Sequence, residues 1–189
     1  MKKIVLFASG SGSNVENIIL YFKSNSVIEV TGVFCNNPSA KVIDRALQYQ
    51  IPVIVFSKEE LNNDFVLAKL LEFQPDIIVL AGFLWRLPTS IIENFPNKII
   101  NIHPALLPKY GGKGMYGMNV HAAVIENRDS ETGITIHHVN ENYDEGNIIF
   151  QESIKIDDCK SPEEIASRIR KLEQKRFPAI IEKFLIPKS

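Results

Sequence analysis

A chain of 189 residues, 45% hydrophobic and 23% charged, is long enough to bury the core of one globular domain. Its 21 basic and 22 acidic residues leave a net charge of −1, which argues against a groove for nucleic acid, normally marked by a basic excess. No run approaches the roughly 20 apolar residues of a membrane span, and the apolar run after Lys2-Lys3 is too short for a signal peptide.

Ile4-Val5-Leu6-Phe7-Ala8 is continuously apolar, as a strand covered on both faces must be. Ser9-Gly10-Ser11-Gly12-Ser13-Asn14 follows, and then Val15, Ile18, Ile19 and Phe22 recur at helical spacing. Such a strand, glycine turn and helix offers free backbone N–H groups to an anion. The turn lacks the lysine of a Walker loop and the third glycine of a dinucleotide fingerprint, where Val15 stands. A phosphomonoester site is the functional reading; an ordinary tight turn is the structural one. Val27 to Phe34 is the second strand, and Pro38 to Gln50 a helix with Val42, Ala46 and Leu47 inward. Ile51 to Phe56 is the third strand, Phe65 to Phe73 a short helix, and Ile77 to Phe83 the fourth strand. Three β-α units in a row imply a parallel sheet with right-handed crossovers and ligands beyond the carboxyl ends of its strands.

Lys98 to Pro108 carries the chemistry. It starts as an apolar strand, ends in a loop fixed by two prolines, and sets Asn101 and His103 two positions apart. Residues i and i+2 of a strand share a face, so an amide and an imidazole can address one cavity. There the amide can stabilise an oxyanion and the imidazolium can give a proton; a structural strand-end histidine is the competing reading. The glycine-rich stretch from Gly111 to Gly117 reads as a lid or a plain surface loop. Asn119 is expected to cap a helix running through Asn127. Ile134 to Val139 and Ile148 to Ile156 read as an antiparallel pair, given their short connection. Ser161-Pro162-Glu163-Glu164 is a helix start, and the last helix runs to Phe184 with a break near Pro178. Cys35 and Cys159 make no metal or redox spacing, so they are read as buried or incidental thiols in a reducing cytoplasm.

Four stretches resemble the folate-dependent phosphoribosylglycinamide formyltransferases. They are Ser9 to Asn14, Leu80-Ala81-Gly82-Phe83, Asn101 to Tyr110, and His137 with Tyr143-Asp144-Glu145-Gly146. The resemblance implies a Rossmann-like α/β fold: a mostly parallel twisted sheet with helices on both faces, an antiparallel strand pair near the C-terminus and a C-terminal helix. It implies one domain over 1–189, with a phosphate-binding half over 1–100 and a catalytic, folate-binding half over 101–189.

The implied reaction is formyl transfer from 10-formyltetrahydrofolate to the amine of glycinamide ribonucleotide, in purine biosynthesis, without a metal. Asn101, His103 and Asp144 match the family's catalytic residues. Gly12, Ser13 and Asn14 match its phosphate turn, and Glu173 resembles the acid that holds the ribose. Leu84, Trp85, Arg86 and Leu87, with Asn101, Asn140, Glu141 and Tyr143, fall where the family seats the folate. Asp144 is given the role of favouring the His103 cation; binding backbone amides is its alternative role. His121 and His137 are read as packing or hydrogen-bonding residues.

Where many members carry an arginine after the Gly-Phe-Met equivalent, this chain has Trp85 and then Arg86. It also lacks an arginine before Pro75, and its loop after Tyr110 is longer. These departures bear on the folate glutamate tail. The implied partners are small molecules, with no nucleic acid or membrane, in a monomer or homodimer. A formyltetrahydrofolate hydrolase would share the catalytic set but usually carries an extra N-terminal domain and needs no phosphate turn. A methionyl-tRNA formyltransferase would need an RNA-binding C-terminal domain. A non-enzymatic phosphometabolite sensor would leave Asn101, His103 and Asp144 idle.

Overall fold

Ile4, Val5, Leu6 and Phe7 send side chains alternately to opposite faces of a sheet, and both faces are covered. In the computed structural model, which describes residues 1–187, the strands are β1 (Lys2–Ala8), β2 (Ile28–Cys35), β3 (Val53–Val55), β4 (Ile77–Leu80), β5 (Ile99–His103), β6 (Glu131–His138) and β7 (Ile148–Lys155). They form one sheet in the order β3-β2-β1-β4-β5-β6-β7. The first five strands are parallel, whereas β5·β6 and β6·β7 pair antiparallel, as the short connection between the last two implied.

The helices are α1 (Ser13–Phe22), α2 (Val42–Gln48), α3 (Lys58–Asn62), α4 (Phe65–Phe73), α5 (Thr89–Asn94), α6 (Met118–Glu126) and α7 (Pro162–Leu185). On one face Ile4, Leu6, Val79 and Ile100 pack under α1, α2 and α7. On the other Val5, Phe7, Ile78 and Ile99 pack under α3, α4 and α5. Chain order along the sheet reverses between β1 and β4. That reversal opens a crevice beyond their carboxyl ends. Ser9 closes its floor: its N–H donates to the Gly82 carbonyl at 3.0 Å, and its Oγ accepts from the Leu84 N–H at 2.9 Å.

Several expectations are corrected. α2 begins only at Val42, and Leu47 faces solvent at 56% exposure while Val42 and Ala46 are buried. Two short helices, α3 and α5, lie where no periodic pattern announced them. β4 stops at Leu80, and a turn with Gly82 at φ 82° follows. Asn119 is not a cap: it lies inside α6, where Gly117 holds the N-cap, and its amide donates to the Gly114 carbonyl at 3.0 Å. α7 has no break at Pro178. A proline lacks the N–H that would bond to the carbonyl four residues back. Here that carbonyl, of Gln174, accepts instead from the Asn17 side chain of α1 at 2.8 Å. The start of α7 is as expected, with the Ser161 Oγ accepting from the Glu164 N–H at 3.3 Å and Pro162 in the first turn. Among the described residues no helix is long and apolar enough to cross a membrane.

Candidate active site

Alternation along β5 builds the centre of the site. Ile100 and Ile102 enter the first core, while Ile99, Asn101 and His103 face the other way. Ile99 ends the second core, so Asn101 and His103 lie beyond its edge and border a cavity. Their antiparallel neighbour repeats the pattern: Ile134 and Ile136 enter the first core, and Thr135 and His137 share the face of Asn101 and His103. The register sets Asn101 opposite His137 and His103 opposite Thr135, the closest side-chain relation a sheet provides.

The Asn101 Nδ2 lies 3.1 Å from His137 Nε2. His137 Nδ1 lies 2.8 Å from the His138 carbonyl, which can only accept, so Nδ1 carries a proton; when that is the ring's one proton, Nε2 accepts from the amide. That fixes which end of Asn101 is nitrogen and leaves its second N–H for another acceptor. His103 is 3% exposed, with Nε2 2.7 Å from the Tyr110 carbonyl. By the same rule Nε2 donates, and Nδ1 is the nitrogen free to gain or lose a proton.

The loop between β6 and β7 returns over this face and brings in Asp144. Its Oδ2 is 3.5 Å from His103 Nδ1 and its Oδ1 is 3.5 Å from His137 Nε2. Oδ2 also accepts from the Gly112 N–H at 3.0 Å. Next to it Gly111 has no room for a side chain: a Cβ there would sit 2.7 Å from Leu107 and 3.3 Å from the Asp144 Cβ. Burial pushes the Asp144 carboxyl up, but His137, His103 and the Gly112 N–H outweigh it and hold the group below its usual value. For His103 burial wins: the Asp144 charge and the Tyr110 carbonyl raise its pKa, yet the ring titrates below its ordinary 6.5. Asp144 therefore acts in the direction expected of it without keeping the resting ring charged.

The second component is the turn after β1. Gly12 caps α1 at φ 72°, and a Cβ there would stand 2.5 Å from the Val42 side chain, so both conformation and space require glycine. The Gly12 carbonyl accepts the first helical bond from the Glu16 N–H at 2.9 Å, leaving the amides ahead of Glu16 without an intrahelical partner. Asn14 Nδ2 donates to Glu173 Oε2 of α7 at 2.9 Å. Its Oδ1 is buried with no hydrogen-bond partner among the described residues. Burial raises the Glu173 carboxyl to about 7, against the Asn14 hydrogen bond and the nearby Arg170 charge.

Both components open into one cavity of about 680 Å³. Asn101, His103, Asp144, Ser13, Asn14 and Glu173 line it, as do Leu84, Trp85, Arg86, Leu87, Asn140 and Tyr143. Gly12 and Glu141 do not: Gly12 turns the backbone beneath the wall, and Glu141 points to solvent. Lys113, His121, His137 and Arg170 also line it, though residue type and spacing assign none of them a catalytic or binding role. Arg170 was within reach of sequence reasoning, because it stands one turn before Glu173 on the same helical face. His137 was readable from the alternation of β6. Among the described residues no group of three His, Cys, Asp or Glu side chains could hold a metal ion.

A parallel sheet reversing between β1 and β4, with an amide, an imidazole and a carboxylate at its rim, defines a class of group-transfer enzyme that known proteins identify. The formyl transferase family model matches residues 2–181, and the chain belongs to this family. Within it, the similarity is to phosphoribosylglycinamide formyltransferases. The protein of that name from Bacillus subtilis is 37% identical over 98% of this chain and 95% of its own length. The chloroplastic one of Arabidopsis thaliana is also 37% identical, and this chain spans 64% of its length. The crystal structure of the Bacillus halodurans enzyme superposes with a TM-score of 0.88, at 33% identity over 98% of this chain and 96% of that one.

Proposed function

We propose that the chain transfers a formyl group from 10-formyltetrahydrofolate to the amine of N1-(5-phosphoribosyl)glycinamide, releasing tetrahydrofolate, as a step of purine biosynthesis. The observation that carries this reading is that Asn101, His103 and Asp144 meet in one cavity with the Gly12–Asn14 turn and Glu173. In the family's formyl transferases the folate supplies the formyl group, and its N10 is the leaving nitrogen. The cavity fits such a pair of substrates. One end has apolar walls at Leu84, Leu87 and Val139, and the other has an orphaned Asn14 oxygen beside Glu173.

Ser13 and Asn14 N–H groups at the start of α1 take the phosphate of the glycinamide substrate, aided by the helix dipole. Glu173, together with the free Asn14 oxygen, accepts hydrogen bonds from ribose hydroxyls. Leu84 to Leu87, with Asn140 and Tyr143, seat the pterin. Asn101 donates its second N–H to the oxyanion that forms as the amine adds to the formyl carbon. Loss of one such donor costs other enzymes about 3–4 kcal/mol in the barrier. His103, neutral at rest, takes up at Nδ1 the proton the amine sheds, and Asp144 stabilises the imidazolium so formed. The same proton passes to N10 as the C–N bond breaks, so the exchange consumes none.

The test is an assay of tetrahydrofolate release from 10-formyltetrahydrofolate. Release that requires the glycinamide ribonucleotide, with formyl recovered on its amine, is the expected result. Release with water alone would make the chain a hydrolase, and binding without turnover would make it a sensor; either outcome overturns the proposal.

A further inference from the structure

An ionic cluster outside the cavity meets the reacting residues through a single stretch of backbone. Asp129 lies in the turn between α6 and β6, where its N–H donates to the Val124 carbonyl at 3.2 Å. Its Oδ2 accepts from the Tyr110 hydroxyl at 2.8 Å, and Lys109 Nζ stands 3.6 Å from the same oxygen. None of these three residues lines the cavity. Tyr110 is held at φ 56°, a left-handed conformation that disfavours a residue with a Cβ.

That conformation has two consequences for the site. It aims the Tyr110 carbonyl at His103 Nε2, 2.7 Å away. It also leads the chain to Gly112, whose N–H holds the Asp144 oxygen that faces His103 Nδ1. Residues 110–112 thus hold both partners of the imidazole. We propose that Asp129 is a positioning residue for the transfer, fixing residues 110–112 through the Tyr110 hydroxyl and thereby the tautomer of His103. Asp144 alone would draw the neutral ring's proton to Nδ1, which then could not take one from the amine. The Tyr110 carbonyl draws it to Nε2 instead, and Asp129 keeps that carbonyl in place. The other groups around His103 are His137 of β6 and His121 of α6, with Arg170 of α7 beyond His121. None of them is an acceptor for Nε2.

The kinetic part of this proposal rests on formyl transfer, but its structural part does not, so the test has two arms. Nitrogen NMR of the substrate-free protein reports which ring nitrogen of His103 carries the proton. The wild type is expected to be the Nε2–H form. Tyr110→Phe and Asp129→Ala should shift the ring toward Nδ1–H and, with loss of the Tyr110 carbonyl, move its titration to lower pH. Both should cut kcat about tenfold, on the order of 1.4 kcal/mol in the barrier, with little change in KM. Asp129→Asn keeps an acceptor for the hydroxyl and should restore most of both signals. Should Asp129→Ala fail to fold, Tyr110→Phe removes one oxygen and asks the same question. Wild-type tautomer and wild-type kcat in a folded Tyr110→Phe protein would overturn the proposal. A shifted tautomer in a protein without transferase activity would sustain the positioning link and overturn only the reaction.

Discussion

Glu173 sets the residue-scale behaviour of the apo protein. Its carboxyl ordinarily titrates near 4.5 and is raised to about 7 by burial, so the folded chain holds its proton over a range where the unfolded chain has lost it. A raised acid contributes stability fully present below pH 4.5 and lost as pH climbs through about 7. The shift corresponds to about 3 kcal/mol at most, since one unit is worth 1.36. Glu173→Gln keeps an oxygen for the Asn14 amide and has no charge to bury. Denaturant midpoints should therefore match wild type at pH 4.5 and exceed it at pH 8. The same gap at both pH values would show that Glu173 ionises without cost. His103 and Asp144 pull in the opposite direction, because both are lowered: their contributions are fully present above the ordinary 6.5 of the ring and 3.8 of the carboxyl, and are lost as pH falls below each of these toward the lower value of the folded state.

At the scale of elements the join between α1 and α7 is the most exposed to a single change. Pro178 leaves the Gln174 carbonyl without its helical partner, and Asn17 supplies one from the neighbouring helix. Asn17→Ala should cost about 1–3 kcal/mol, the penalty of leaving a half-buried polar group unpaired. In a Pro178→Ala background the helix regains its own N–H, so the same substitution should cost markedly less. Equal costs in the two backgrounds, measured by urea midpoints in a double-mutant cycle, would show the two changes to be independent.

This join also marks where local reading stops. The sequence located the strands, the sheet type, α1, α4 and the start of α7, because continuous apolar runs, spacing and a Ser-Pro-Glu cap are local signals. It placed a break at Pro178 because the amide that serves the Gln174 carbonyl lies 157 positions from it. It put Leu47 inward because Val42, Ala46 and Leu47 share a wide helical stripe. A seven-residue helix buries only the narrower one. α3 and α5, of five and six residues, are too short to repeat a hydrophobic period. Asn101 and His103 were legible as residue types two positions apart on a strand, whereas Asp144 was reached only through the family resemblance. The second partner of His103 was not: Tyr110 belongs to the same stretch, but the contact is made by its backbone carbonyl, whose direction leaves no mark in the residue types.

On the scale of the whole molecule the site depends on two cores that share the same strands. Alternate residues of β1, β4 and β5 belong to opposite faces, so neither core can open while the other keeps a complete sheet. Trp85, the only tryptophan, reports on the second core: its ring centroid lies 6.3 Å from that of Phe56 and 6.4 Å from that of Phe83. Phe7 lies deeper in the same cluster, fully buried, stacked on Phe34 at 5.0 Å and edge-on to Phe83 at 5.2 Å. Phe7→Ala should cost about 3–5 kcal/mol, the usual range for emptying an aromatic site. Because β1 serves both faces, tryptophan fluorescence and far-ultraviolet dichroism should unfold at one shared midpoint in wild type and variant alike. If the substitution lowered the fluorescence midpoint alone, the cores would be separate cooperative units. Asn101 and His103, which lie at the edge of the second core on a strand anchored in the first, would then have a scaffold that could loosen on one side only.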